Sequence, residues 1–237
     1  MIDRIVESRC SERYGVRRMK WLGIAFAAVV AGFALYKISY PTHTYRYRMT
    51  VNVEVDGQMR SGSSVIEAHV SKQPVFLPGV NPLGYSERGE AVFVDLGGQR
   101  NIVALLASGP YAEGAAYPSF VVLQHFRLNL FDDRQLASLS QLRGRWDLPS
   151  KDLPTLATFS NPGDPTTAKT LQADQLEQFF GPDVRWRGIV IEMTTDAVTH
   201  VIESKLPWVT KLTAGLAGSN VFVSPGKFTL NGPYFKR

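Results

Sequence analysis

Tyr45 to Val70, YRYRMTVNVEVDGQMRSGSSVIEAHV, decides how the chain folds. Tyr45, Tyr47, Met49, Val51, Val53 and Val55 alternate with Arg46, Arg48, Thr50, Asn52 and Glu54. Successive side chains of a strand point to opposite faces, so this period of two predicts a strand with one buried face. Asp56-Gly57 follows, a pair suited to a tight turn whose central residues both need positive φ. The return strand is expected over Ser63–Val70, with Ile66, Ala68 and Val70 facing inward and Glu67 and His69 on the polar face.

Downstream, residues 71–89 hold three prolines and three glycines and read as a loop. Ala91–Leu96 and Asn101–Ala107 are apolar runs around Gly97-Gly98-Gln99-Arg100, a second hairpin. Phe120–Leu130 reads as a partly alternating strand. Asp132–Leu142 reads as a short helix, because Leu136, Leu139 and Leu142 recur at helical spacing. Leu153–Phe159 suits a short strand, and Asn161–Pro165 is a turn cluster. Asp174–Phe180 predicts a helix stopped by Gly181-Pro182. Val184–Thr194 predicts a strand, and Thr195 or Asp196 is placed to cap a helix running to about Lys205, before Pro207. Short β-like pieces close the chain at Asn220–Val223 and Lys227–Leu230. The fold class expected is α+β and β-rich, mostly antiparallel hairpins with a few short helices.

Upstream lies WLGIAFAAVVAGFALY, Trp21–Tyr36, sixteen residues without a charge. At about 1.5 Å per residue this falls short of a hydrocarbon core about 30 Å thick. Continuing to Tyr40 reaches twenty residues, with Lys37 able to snorkel and Trp21, Tyr36 and Tyr40 suited to the interface. Pro41 ends the helix. The reading is a single membrane-spanning anchor over 21–40, between a basic head (1–20) and an exported domain (41–237). Arg4, Arg9, Arg13, Arg17, Arg18 and Lys20 precede it, against Lys37, Arg46 and Arg48 beyond it. That asymmetry places the N-terminus in the cytoplasm and the domain outside, in the periplasm of a bacterial inner membrane. The competing reading is a cleaved export signal, with Gly32 and Ala34 before the cut. Gly23, Ala27 and Ala31 recur every four residues, which would allow helix self-association.

The formal charge is +5 over 237 residues. Six positive and three negative residues of the head supply +3 of it, leaving no basic patch for nucleic acid. Cys10, the single cysteine, lies in the head, so packing alone must hold the rest.

YRYRMTVNVEVDGQMRSGSSVIE, GEAVFVDLGGQRNIVALLA, LPTLATFSNPGDPTTAKTL and FFGPDVRWRGIVIEMTTDAVTHVIESKLPW together resemble a group of uncharacterised proteobacterial proteins. The resemblance covers most of residues 44–208. It implies a bacterial protein, often membrane-anchored, and brings no activity and no site residue with it.

The residues that could carry chemistry read mostly as structure. Arg60-Ser61-Gly62-Ser63-Ser64 lacks the strand-to-helix setting of a nucleophile elbow, and its small residues suit a twist or bulge. His43, His69, His125 and His200 show no metal-ligand spacing. His43 is expected to be solvated, His125 to share a mixed strand face with Arg127 and Asn129, and His200 to sit in a helix near Asp196 and Glu203. Asp132-Asp133 suits a helix start and Asp95 a turn brace. Gly97-Gly98 and Gly215–Gly218 lack a following Lys-Ser/Thr and are not phosphate loops. Tyr45 and Tyr47 belong to the core, whereas Arg46 and Arg48 could meet anionic lipid. No catalytic, cofactor-binding or metal residue is assigned. The partners expected are the bilayer, other envelope proteins or a second copy through the helix, and not nucleic acid. The function expected is an interaction or assembly module. The alternative is an envelope hydrolase or small-ligand-binding domain whose site is assembled from dispersed residues.

Overall fold

The structure is a computed structural model that describes residues 22–75, 79, 81–109, 112, 114, 117–213, 221–223 and 228–237. The basic head, Trp21, Cys10 and Gly215–Gly218 lie outside the described residues. The described chain divides into two compact units. One holds the apolar helix through Thr42 together with Lys72–Pro82, and the other holds His43–Ser71 with Leu83–Arg237.

In the first unit, α1 spans Leu22–Ser39, long and apolar enough to cross a membrane. Its bond pattern extends by one residue, since the Tyr40 N–H donates to the Tyr36 carbonyl at 2.9 Å. Lys37 Nζ lies 5.7 Å from the Phe33 ring centre, and the Tyr36 and Tyr40 rings approach to 5.2 Å. The polar end of the apolar stretch is therefore covered by its own aromatic side chains.

The second unit is β-rich α+β. β1 (Thr42–Val55) and β2 (Gln58–Lys72) form the expected hairpin, turning at Asp56 (φ 51°) and Gly57 (φ 75°). Tyr45, Tyr47, Met49, Val51, Val53 and Val55 are all buried, as the alternation requires. With β3 (Leu83–Arg88), β6 (Arg145–Asp147) and β9 (Val184–Met193), these strands make a five-stranded sheet in the order β3-β2-β1-β9-β6. A second sheet runs β4 (Val92–Gly97), β5 (Arg100–Ser108), β7 (Pro154–Phe159), β8 (Ala168–Leu171), antiparallel at each pairing.

β5 shows how the layers meet. Ile102, Ala104 and Leu106 join the inner face of the first sheet in one apolar core. Val103, Leu105 and Ala107 join a second core under Ile202, Leu206, Trp208, Val209, Leu212 and Phe235. An apolar run this continuous is what a strand buried on both faces needs. Asn101 ties the sheet at its end, its side chain donating to the Phe159 carbonyl at 2.7 Å and accepting the Phe159 N–H at 3.0 Å. β2 and β4 come closest at Gly62, where a Cβ would sit well inside contact with the Phe93 carbonyl oxygen. This glycine allows a close backbone approach.

Three local expectations give way. Tyr117–Phe126 is a helix, α2, and not part of a strand over 120–130. A run as apolar as Phe120-Val121-Val122-Leu123 suits either state, and Pro118 in the first turn, where no N–H is needed, favours the helix. Residues 83–88 leave the expected loop to form β3, a polar edge strand with little apolar signal. Thr194–Val201 is irregular, and α5 begins only at Ile202 and ends at Lys205. Backbone bonds to the first sheet outcompete the early cap: the Thr194 N–H donates to Arg46 at 3.1 Å and the Thr199 N–H to Val65 at 3.3 Å.

The remaining helices are α3 (Asp133–Ser138), α4 (Leu176–Phe180) and α6 (Val209–Thr213). Asp132 caps α3, accepting the Arg134 N–H at 2.9 Å, and α4 stops at Gly181 with φ 103°. β10 (Val221–Val223) and β11 (Phe228–Leu230) form the closing two-stranded ladder.

Candidate functional site

The first place where polar side chains converge is the outer face of β1 and β2. Because β1 buries its odd-numbered residues, Thr44, Arg46 and Arg48 face the other way, across from Glu67 and His69. Thr44 Oγ1 lies 2.8 Å from His69 Nδ1, and His69 Nε2 lies 3.1 Å from Glu67 Oε1. Arg46 donates Nε to the other carboxylate oxygen at 2.6 Å. Arg46 also reaches the carbonyls of Thr195 and Asp196, and Arg48 pairs with the Asp196 carboxylate. The Val65 N–H donates to Thr199 Oγ1 at 2.9 Å.

A hydroxyl, an imidazole and a carboxylate in line resemble the order of a nucleophile relay. Here, however, one oxygen of Glu67 is held by Arg46, and Arg46 and Arg48 clamp residues 195–196 across the sheet face. None of these side chains lines the cleft at the ends of β7 and β8 or the depressions beside it. The arrangement acts as a brace that fixes an irregular segment to the sheet. Arg46 and Arg48 pair with Glu67 and Asp196.

The second convergence is a buried network between the sheets. Glu87 on β3 pairs with Arg237 at 2.7 Å, and Glu87 accepts the Ser119 hydroxyl at 2.6 Å. Tyr45 and Tyr47 donate their hydroxyls to the carbonyls of Ser119 and Pro118 at 2.5 and 2.8 Å. Burial, aided by the Glu87 charge for Tyr45 and chiefly by Tyr117 for Tyr47, raises both phenols above their ordinary value of 10.0. Burial with the Asp152 charge raises Tyr117 likewise. These groups hold Pro118-Ser119, the start of α2, against β1.

The third is a cleft of about 620 Å³ at the ends of β7 and β8. Leu153, Pro154, Leu156 and Leu171 give it an apolar floor, and Trp186 of β9 lines it from the first sheet. Ser150, Lys151, Gln172 and Asp174 supply its polar groups. Neighbouring depressions share Lys151 and Leu153 on one side and Asp174 and Trp186 on the other. Trp186 reaches the cleft because of a β-bulge. Asn52 pairs with Gly188 and Val53 with Trp186, so Arg187 is the extra residue, and Gly188 takes φ 106°. Without the insertion Trp186 and Ile189 would face opposite sides. With it, Val184, Trp186, Ile189 and Ile191 all join the inner face.

The other residues singled out from the sequence lie apart. His69 is beside a carboxylate, on the polar face expected of it. His125 is on α2, stacked on Trp146 at 3.9 Å, and not on a strand face. His43 is half-buried and His200 precedes α5. Asp95 braces its turn by accepting the Gly97 N–H at 2.8 Å. Among the described residues, no three His, Cys, Asp or Glu side chains gather as a metal site would require. Sequence reasoning missed the cleft, since its lining comes from five separated stretches. The available signal was Gly188 inside a strand, a mark of a bulge. The chain matches no protein family, no curated protein and no solved structure.

Proposed function

We propose that the chain is a single-pass, membrane-anchored bacterial envelope protein whose β-rich domain acts as an interaction module outside the cytoplasmic membrane. The observation that supports this most is the join between helix and domain. Only Tyr40 and Pro41 separate α1 from β1 along the chain, so the domain follows the apolar segment with a connection of two residues. A domain tied so short works at the membrane surface and meets what lies there. The positive residues of the head favour a cytoplasmic N-terminus, with the domain in the periplasm.

A reporter series fused after Arg18 and after Arg237, combined with in-cell cross-linking, tests the reading. Cytoplasmic activity of the first fusion, periplasmic activity of the second, and a reproducible membrane partner lost on deleting residues 41–237 are the expected results. Reversed reporter activities, or a soluble processed domain, would remove the anchor. A domain that captures no partner would remove the assembly role.

The cleft favours a second reading, a domain that binds a small ligand through dispersed residues. Its volume lies within the range of about 300–1,000 Å³ common to small-molecule sites, and its lining mixes apolar and polar groups as such sites do.

A further inference from the structure

Resting on that second reading, we infer that the cleft is a saccharide site, with Trp186 as the stacking platform and Gln172 and Asp174 as the groups that hold hydroxyls. Three observations carry this.

The first is the placement of Trp186. The bulge at Arg187-Gly188 gives the indole to the inner face near the end of the core, half-buried and facing the cleft rather than sealed within the sheet. An indole offers a broad apolar face and a single N–H donor. A pyranose ring is matched to it, because one face presents C–H groups while the edge carries hydroxyls.

The second is the state of the polar lining. The side chains of Ser150, Gln172 and Asp174 are exposed at the cleft and have no hydrogen-bonding or ionic partner among the described residues. Less exposed groups of the same kinds, Asn101, Asp132, Asp164 and Asp183, are bonded within the domain, so those at the cleft are left available to a ligand. An amide and a carboxylate together both donate and accept, as vicinal hydroxyls require.

The third is what the lining disfavours. An acyl chain would leave Gln172 and Asp174 without partners as it excluded water from them. A phosphate ligand would find Lys151 as the one cationic side chain of the lining among the described residues, opposed by Asp174.

The test uses the full chain in a detergent without a sugar headgroup. Chitotetraose and maltotetraose are titrated while tryptophan fluorescence and the indole N–H resonances are followed, with Trp186→Phe assigning its signal among four tryptophans. Saturable perturbation of Trp186 is expected with at least one of the two. Gln172→Ala and Asp174→Ala should each weaken it about tenfold while leaving the thermal midpoint unchanged, since neither side chain has an internal partner. Undiminished binding in those variants would overturn the assignment. If neither sugar moves the Trp186 signal at about 10 mM, but an acetylated dipeptide or a short fatty acid does, the saccharide class falls and the cleft remains a ligand site. If none of the four probes moves it, the ligand-binding reading falls with it.

Discussion

Glu90 and Val201 are 111 positions apart, and the Glu90 carboxylate accepts the Val201 N–H at 2.6 and 2.8 Å and the Ile202 N–H at 3.0 Å. Glu90 is only 1% exposed. It caps α5 from across the fold, which a helix lacking its own side-chain cap requires. The anchoring of the last helices over the second core therefore rests on a residue at the entrance to β4.

Glu90→Gln should cost about 2 kcal/mol, the loss of charge-assisted bonds to two backbone donors. For a domain this size that corresponds to a fall of about 4–8 °C in the thermal midpoint. Differential scanning calorimetry reads it directly. An unchanged midpoint would mean that the α5 N-terminus is satisfied without the carboxylate.

Glu87 and Arg237 are 7% and 15% exposed, and Arg237 is held further by backbone pairing of its own N–H and carbonyl with Gly89. Removing one partner of a buried pair leaves a bare charge and costs about 3–5 kcal/mol. Arg237→Met should therefore destabilise strongly, whereas Glu87→Gln with Arg237→Met should recover much of the loss. A double-mutant cycle by urea unfolding measures the coupling. Additive losses would show that the two charges are not linked.

The strand pattern of β1, the Asp56-Gly57 turn and the cap at Asp132 were legible because each depends on neighbours in sequence. The helix at 117–126 was not. Its apolar run fits either state, and the choice is made by Tyr45 and Tyr47 bonding to Pro118 and Ser119 more than seventy positions away. The same holds for the strap at 194–201, where a local cap signal loses to Arg46, Arg48 and Val65. The brace around His69 was half legible, since Glu67 and His69 share a strand face by parity. The cleft was hidden, because nothing local says that residues 150–156 and 171–174 meet Trp186.

Gly62→Ala tests the contact between the two sheets. The added methyl meets the Phe93 carbonyl oxygen, a backbone atom that cannot rotate away. The sheets must shift, at a cost of about 1–3 kcal/mol. Urea unfolding should show a lower midpoint at unchanged slope, with Gly57→Ala at the exposed turn as a comparison that strains φ alone. A neutral Gly62→Ala would place β2 and β4 farther apart than described here.

At acid pH, the carboxylates held below their ordinary values should matter, Asp164 among them through its hydrogen bonds with Thr166. Asp183 is held below its ordinary 3.8 first by the hydrogen bond from Arg100, and Glu203 below 4.5 first by the one from Lys236. Both folded values lie beneath the unfolded ones, so these groups bind protons more readily once unfolded. Their contribution is complete above the ordinary values and fades as pH falls through the folded ones. The thermal midpoint should decline from about pH 5 downward, and Asp183→Asn should lower it at neutral pH while flattening that decline. An unaltered slope in the variant would detach Asp183 from acid stability.

At alkaline pH the sign reverses, and the tyrosines decide it. Tyr45, Tyr47 and Tyr117 are raised above their ordinary 10.0, chiefly by burial. A folded value above the unfolded one means that stability is full below pH 10.0 and is lost as pH climbs beyond it, because only the unfolded chain can ionise these phenols cheaply. Spectrophotometric titration should therefore show a step well above the ordinary phenol value. The buried three should ionise there, together, and in step with loss of the near-ultraviolet circular dichroism that reports packed aromatic side chains. Tyr47→Phe removes one phenol of this class and should shrink that step. Ionisation of all tyrosines in one reversible step, with the fold intact, would contradict the buried network around Glu87 and Ser119.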